Sequence, residues 1–473
     1  MAQAFQFPEV SIQGDRARLL KPYQHACHSL NSLIYTAGSG NGLKADALVG
    51  DAKGRIDAWD AAFATLGLRW ARSGQTSATD AFLAAFDDDG FIPARLALDG
   101  KSPGEGLQRV AAPLTAFAEW ELFKLRGDAK RLAEALNLLE VDFDFREGKL
   151  RRKSGLFGGS ELAYPLGCFT RFSVGGKAVP SLITGADWVD ATALHVLNAR
   201  CLAEMARALE RKELAGRFEY ASIDIAAKMN ARMWDEKEGW YFDVNEHGEY
   251  LPVKSLASFW AVVSGVAPLA RAERQSTALS DVTRFERMHP YCTLAASEKG
   301  YRGEGDRPVG VTRSDFNIVC YETLYALGRA AQADLGAEDH LARVARILSD
   351  SGELYTAYDP DADIPAPLAD GGSGANSSLT AALAINITLS YLFGLRPHAA
   401  RKELEVNLRL KDRHSVEGVP FCGGSVSIDA GAQPMKGRRT VEVMCDMPFR
   451  LKARSGERMQ TFDLTPGSHT VTV

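Results

Sequence analysis

The feature that most constrains this chain is a change of hydrophobic period near residue 400. Up to about residue 395, apolar residues recur at three- and four-residue steps, which places them on one face of a helix. Beyond that point they alternate with polar residues, as in a strand with one face on a core. The most regular helical stripe spans 187–211 through Leu194, Leu197, Cys201, Met205 and Leu209, with Asp187 read as N-cap and Asp190 in a capping-box position. Similar stripes predict helices at 57–73, 108–127, 129–146, 213–234, 254–266, 314–332, 336–350 and 377–393. Weaker ones lie at 17–36, 76–87 and 270–281. Several pair across short polar turns, such as 124–128 and 333–337.

Longer loops rich in Gly, Pro and aromatics lie at 35–56, 88–107, 148–186, 235–253, 284–313 and 351–376, one per helix pair. Loops beyond roughly 15 residues are usually functional when they occur in a compact domain. The expected fold is mainly α: an (α/α)6 toroid of six helical hairpins over residues 1–398, its long loops gathered at one end. EVNLRL, GSVSIDA, RTVEVMCD, FRLKARS and HTVTV then predict a small C-terminal antiparallel β module, sandwich-like, over 399–473.

Charge narrows the function class. Lys and Arg number 55 against 60 Asp and Glu, a formal −5 with both signs interspersed, which leaves no electrostatic footprint for nucleic acid or an anionic membrane. No window approaches the roughly 20 apolar residues of a membrane span. The opening MAQAFQFPEVSIQGDRARLLK lacks the basic and apolar regions of a secretory peptide. Seven scattered cysteines without a CxxC read as free thiols in a reducing cytoplasm. Asp359, Asp361 and Asp363 have the spacing of a calcium loop, but Ile364 stands where its Gly belongs and Asp370 where its bidentate Glu belongs. His25, His28, His195 and His289 share no ligand spacing. No metal or cofactor is expected.

An ordered series of segments resembles the six-hairpin glycosidases of the trehalase, processing α-glucosidase I and mannosylglycerate hydrolase group. RIDAWDAAFATLGL (55–68) resembles that group's Trp-Asp helix start, and DDDGFIPARL (88–97) its DGFIP loop. VAAPLTAFAEWELFKLRGD (110–128), WVDATALHVLNARCLAEMA (188–206) and MWDEKEGWYFDV (233–244) resemble its following helices and turn. YRGEGDRPVGVTRSDFNIVCYETLYALG (301–328), AYDPDAD (357–363) and SSLTAALAIN (377–386) complete the series over about 55–393. The resemblance implies a glycoside hydrolase acting on a small carbohydrate.

Two positions depart from the group. Its general acid, an Asp in an SGMDNSP-like stretch, falls on Phe157 in SGLFGGSELAYP (154–165), and its general base, a Glu, falls on Thr356 in TAYDP. Inverting hydrolysis needs one protonated carboxyl and one carboxylate, roughly 6.5–9.5 Å apart across the sugar. Glu161 is the candidate acid, expected among Phe157, Leu162 and Tyr164, whose apolar surfaces would favour its protonated form. Glu353 is the candidate base. A solvated loop position explains Glu161 equally well, and a surface Glu just past a helix end is the commoner outcome for a residue like Glu353.

Trp59 and Asp60 are expected to bind sugar, the indole on an apolar sugar face and the carboxylate on hydroxyls. Trp188 occupies a similar helix entrance. The run Arg302, Arg307, Arg313, Asp315 and Asn317 adds a fork able to hold a substrate carboxylate, which brings acidic sugars into the expected range. An Arg313–Asp315 salt bridge explains the same pattern. Tyr358 completes the expected binding set. Two alternatives stay open: a uronate-type lyase or sugar isomerase using Tyr164, Tyr358, His289 and Arg313, and a sugar-binding protein without catalysis. Oligomeric state is not legible.

Overall fold

The protein is seen in a computed structural model that describes residues 4–38, 40–48, 55–165, 171–174, 177–178, 180–301, 310–367, 373–435 and 437–473. The helices are α1 Lys21–Ser29, α2 Ala58–Leu68, α3 Asp80–Ala84, α4 Thr115–Arg126, α5 Ala129–Lys149, α6 Pro180–Gly185 and α7 Val189–Ala208. There follow α8 Lys212–Arg232, α9 Trp260–Val263, α10 Leu269–Ser276, α11 Ser314–Ala326, α12 Ala330–Ser351 and α13 Ser378–Ile387.

Two kinds of helix alternate. Every residue of α2 except Asp60 is buried, and so is all of α13. Helices α5, α8 and α12 bury one stripe each, such as Phe218, Ile225 and Met229 of α8. A helix apolar all round belongs inside and an amphipathic one outside. Accordingly, α2 packs on α4, α4 on α7, α7 on α9, α9 on α11, α11 on α13, and α13 again on α2. Helix α5 lies against α4 and α7, α8 against α7, α12 against α11, and α1 against α13. Small side chains permit the last inner contact, where a Cβ on Gly67 would overlap the Ala382 carbonyl.

The sequence expectations need correction at helix starts. The helix expected at 108–127 begins at Thr115, because 106–109 is a single 3₁₀ turn and the chain leaves it extended at Val110 towards Pro113, which disfavours helix before it. The 76–87 and 254–266 stripes shorten to α3 and to α9 with a preceding 3₁₀ turn. Asp187 does not cap α7. Its backbone N–H and carbonyl pair with Val244, which leaves Trp188 as the uncapped N-cap.

The C-terminal strands form two sheets. β1 Glu9–Ile12, near the N-terminus, is the edge of a five-stranded antiparallel sheet continued by β4 His414–Phe421, β5 Gly424–Ala430, β6 Thr440–Cys445 and β9 Gly467–Thr472. The other sheet runs β2 Leu395–His398, β3 Glu403–Asn407, β7 Phe449–Ser455 and β8 Arg458–Leu464. Its β3–β7 pairing is parallel, a departure from the all-antiparallel expectation. Burial alternates as the sequence period requires, with Val441, Val443 and Cys445 turned inward along β6.

Candidate active site

The first turns of α2, α9 and α11 meet at one end of the inner ring, the mouth. Entry into α2 is held by the pairing of Ile56–Asp57 with Arg95–Leu96, by Ala58 N–H donating to the Ala94 carbonyl, and by Arg95 Nε on Asp57 at 2.5 Å. This sets Trp59 in the first turn, where its ring meets Phe63, Tyr164, Trp260 and Phe316 at centroid distances of 5.5, 6.1, 6.2 and 5.9 Å. Each such pair contributes about 0.5–1.5 kcal/mol beyond area burial. Trp59 Nε1 donates to Asp315 Oδ2 at 2.9 Å, and Arg313 grips Asp315 through Nε and Nη2 at 3.0 and 2.8 Å. One connected unit thus joins α2, α9, α11 and the 158–165 loop.

Asp60 is the residue of α2 that keeps some exposure. Enclosure of its carboxyl, reinforced by Asp57 and Asp315, raises it to about 7 against the pull of Arg313 and Arg55. A carboxyl that shares its proton with solvent near neutral pH suits acid–base work.

Tyr164 links Trp59 to Trp188, which is fully buried with Nε1 on the Ile183 carbonyl. A Cβ on Gly159 would overlap both Trp188 and Tyr164, so this turn requires glycine. Behind it, buried Arg171 binds Asp190 at 2.7 and 3.0 Å and Asp243 at 3.0 and 2.5 Å.

The two expected catalytic carboxylates are placed as follows. Phe157, at the position of the group's acid, is wholly buried and stacked on His195 at 3.6 Å and 9°. Glu161, four residues on, is exposed. Among the described residues it lacks the expected apolar enclosure, because Phe157 turns into the core and Tyr164 is spent on Trp59 and Trp188. Glu353 follows Gly352, which ends α12, and is half-buried, with Oε2 lacking a hydrogen-bond partner among the described residues. No hydrogen bond or ion pair among the described residues joins Glu161 or Glu353 to the Trp59–Asp315–Arg313 unit.

Asn317 and Tyr358, expected as binding residues, lie in the interior with their polar atoms engaged. Asn317 accepts from Tyr291 N–H and donates to the Pro290 carbonyl. The Tyr358 hydroxyl accepts from Tyr355 N–H. Both flank a buried chain in which His289 Nε2 meets His340 Nδ1 at 2.8 Å and His340 Nε2 meets Ser314 Oγ at 3.0 Å. Burial pushes both imidazoles down, His340 to about 3, so both stay neutral. They brace α11 from behind, and the lyase alternative loses His289 and Tyr358 as groups that meet substrate. Arg302, Arg307 and Asp370 lie outside the described residues. Asp361 and Asp363 are paired with Arg287 and with Arg343 and Arg346. Sequence reasoning missed Arg171, Trp260, Phe316 and His340. Phe316, Asp57, Arg95 and Asp243 stand in segments that carry the resemblance, whereas Arg171, Trp260 and His340 do not.

Residues 185–363 match the family model described as mannosylglycerate hydrolase MGH1-like glycoside hydrolase domain. A Borreliella burgdorferi protein described as uncharacterized is 27% identical over 299 residues, 62% of this chain and 60% of its own length, so the chain spans less than two thirds of that relative. A GH63 mannosylglycerate hydrolase from Thermus thermophilus, in complex with Tris, superposes with a TM-score of 0.60 at 17% identity, over 77% of this chain and 99% of that one. A GH78 family rhamnosidase of Bacillus sp. GL1 superposes with a TM-score of 0.65 at 14% identity, over 91% of this chain and 41% of that one. The resemblance to the six-hairpin glycosidases that the ordered motifs carry is therefore present twice, in the matched 185–363 segment and in the fold.

Proposed function

We propose that this chain is a glycoside hydrolase whose substrate, a small glycoside, enters the mouth at the first turns of α2, α9 and α11. The observation that carries this reading is the Trp59–Asp315–Arg313 unit with Asp60 beside it, where the resemblance series converges. The circuit of six inner helices is read as the (α/α)6 toroid, residues 1–398 as its domain and 399–473 as a β module. Strand β1 and the β2–β3 pair stitch the two together. Trp59 and Asp60 offer an aromatic edge and a hydroxyl-binding carboxyl, with Tyr164 and Trp188 supporting them. Arg313 has Nε and Nη2 occupied by Asp315, which favours a neutral glycoside over an acidic one.

For the chemistry, Glu161, between α5 and α7, is assigned as acid and Glu353, between α12 and α13, as base in an inverting hydrolysis. A second reading, favoured by the enclosure of Asp60, gives the proton to Asp60 and leaves Glu353 as base. The test is turnover of a glycoside panel by wild type and by Glu161→Gln, Glu353→Gln and Asp60→Asn, with product anomers followed by NMR. Loss of an acid or base group costs roughly 10²–10⁴-fold. The expected result is such a loss in Glu353→Gln and in one of the other two, with loss of the alkaline limb of the pH profile identifying the acid. Unchanged turnover in all three variants removes the assignment. A product absorbing in the near ultraviolet establishes a lyase instead.

A further inference from the structure

At the end of the inner ring opposite the mouth lies a cavity of about 370 Å³, within the ~300–1,000 Å³ range of small-molecule pockets. Its walls combine three kinds of chemistry. Trp120, Phe117 and Tyr391 supply aromatic surface, and Leu66, Val263 and Ile318 supply aliphatic surface. Two carboxylates are each held by partners: Glu121 by Arg69 and Lys124, and Glu322 by Arg396 and the Tyr391 hydroxyl. Donors remain beyond those pairs. Arg69 Nε and Arg396 Nε and Nη2 are buried without a hydrogen-bond partner among the described residues. They have almost no accessible surface, and the Arg396 guanidinium is stacked on the Tyr325 and Tyr391 rings at 3.9 and 4.6 Å.

The backbone at this end is also unusual. After α13 the chain makes a π-helical turn over Thr388–Leu392, closed by Phe393 N–H on the Thr388 carbonyl at 2.9 Å. Turns of this kind cluster at functional sites, and this one carries Ser390 and Tyr391 to the cavity wall.

We infer that this second cavity binds a neutral, monosaccharide-sized polyol, distinct from the substrate at the mouth. The wall charges are of both signs, Arg69, Lys124, Arg200 and Arg396 against Glu121, Glu204 and Glu322, so the cavity offers an anion no one-sided field. An apolar ligand would cover these charged side chains without meeting them. A polyol suits this mixture: its hydroxyls pair with charged groups of either sign, and its C–H face lies on Trp120. The inference does not depend on the mouth being catalytic.

The experiment is calorimetric titration of the full chain with D-glucose, D-mannose and, as anion control, inorganic phosphate. It compares wild type, Val263→Trp to fill the cavity, Trp120→Ala to remove its aromatic wall, and Asp60→Asn at the mouth. Val263 and Trp120 are both partly exposed, and melting curves check that the variants fold. The expected result is a sugar-binding event weakened about tenfold or more in Val263→Trp or Trp120→Ala and retained in Asp60→Asn. Binding of phosphate but of neither sugar overturns the inference, as does sugar binding lost only in Asp60→Asn. Absence of any titratable event with all three probes overturns it too, leaving a cavity filled by water.

Discussion

The two ends of the inner ring use the same residue types to opposite effect. At the mouth, Asp57, Asp60 and Asp315 crowd together, and Asp60 is raised to about 7 by enclosure and by its acidic neighbours. At the far cavity, burial works against the charge on Glu121, yet Lys124 and Arg69 overcome it and hold the carboxyl down at about 2. Glu322 is likewise lowered, Arg396 outweighing its burial. One end therefore keeps a carboxyl that exchanges a proton near neutrality, and the other keeps only carboxylates. Proton transfer suits the first, and binding without chemistry suits the second.

The largest effect is expected from the ion cluster behind the mouth. Arg171→Met leaves Asp190 and Asp243 buried and facing each other, and breaking such a cluster costs about 3–5 kcal/mol. The exposed Arg207→Ala, which loses only surface pairs with Glu204 and Glu219, should cost less than about 1 kcal/mol. Urea unfolding of both variants measures the contrast, and equal losses would show that Arg171 is not a keystone of the mouth.

A smaller effect is expected from Trp59→Phe, which keeps the ring contacts but removes the indole N–H from buried Asp315. A hydrogen bond to a charged group contributes about 1.5–3 kcal/mol. A variant as stable as wild type in the same assay would mean that Arg313 alone satisfies Asp315.

The most diagnostic effect is in pH dependence. With a folded pKa raised above its unfolded value near 4, Asp60 makes the folded chain hold an extra proton, so its contribution to stability falls as pH rises from about 4 through 7. Glu121, depressed to about 2, contributes stability that is present above its unfolded pKa and is lost as pH falls towards 2. Melting temperatures across pH should show Asp60→Asn flattening the first slope and Glu121→Gln the second. If one substitution alters both slopes, or neither does, the contrast between the two ends fails.

Much of the helical framework was legible because burial imposes a period. Stripes at 129–146, 213–234 and 336–350 became α5, α8 and α12, whose polar faces look outward. Helix starts were less legible, since Pro113 and the 3₁₀ turn at 106–109 act locally while a stripe is averaged over turns. The Trp59–Asp60 stretch and the Arg313–Asp315 pair were visible as motifs. Their union was not, because Trp59 and Asp315 are separated by 256 positions. Arg171 gave no signal at all: its partners Asp190 and Asp243 lie 19 and 72 residues away in segments read for other reasons. Asn317 and Tyr358 looked like binding residues by position, and packing turned them inward to the histidine chain.

The amino-acid order alone determined which segments coil, which extend and where one regime yields to the other, because periodicity is a property of neighbours along the chain. It also determined that Phe157 and Thr356 replace the carboxylates of the resembled group. Only the tertiary structure decided which carboxyl holds a proton, which carboxylates are neutralised by arginine and which end of the ring contains a cavity. Those properties depend on distance and on exclusion of water between segments far apart in sequence, and neither exists until the helices have packed.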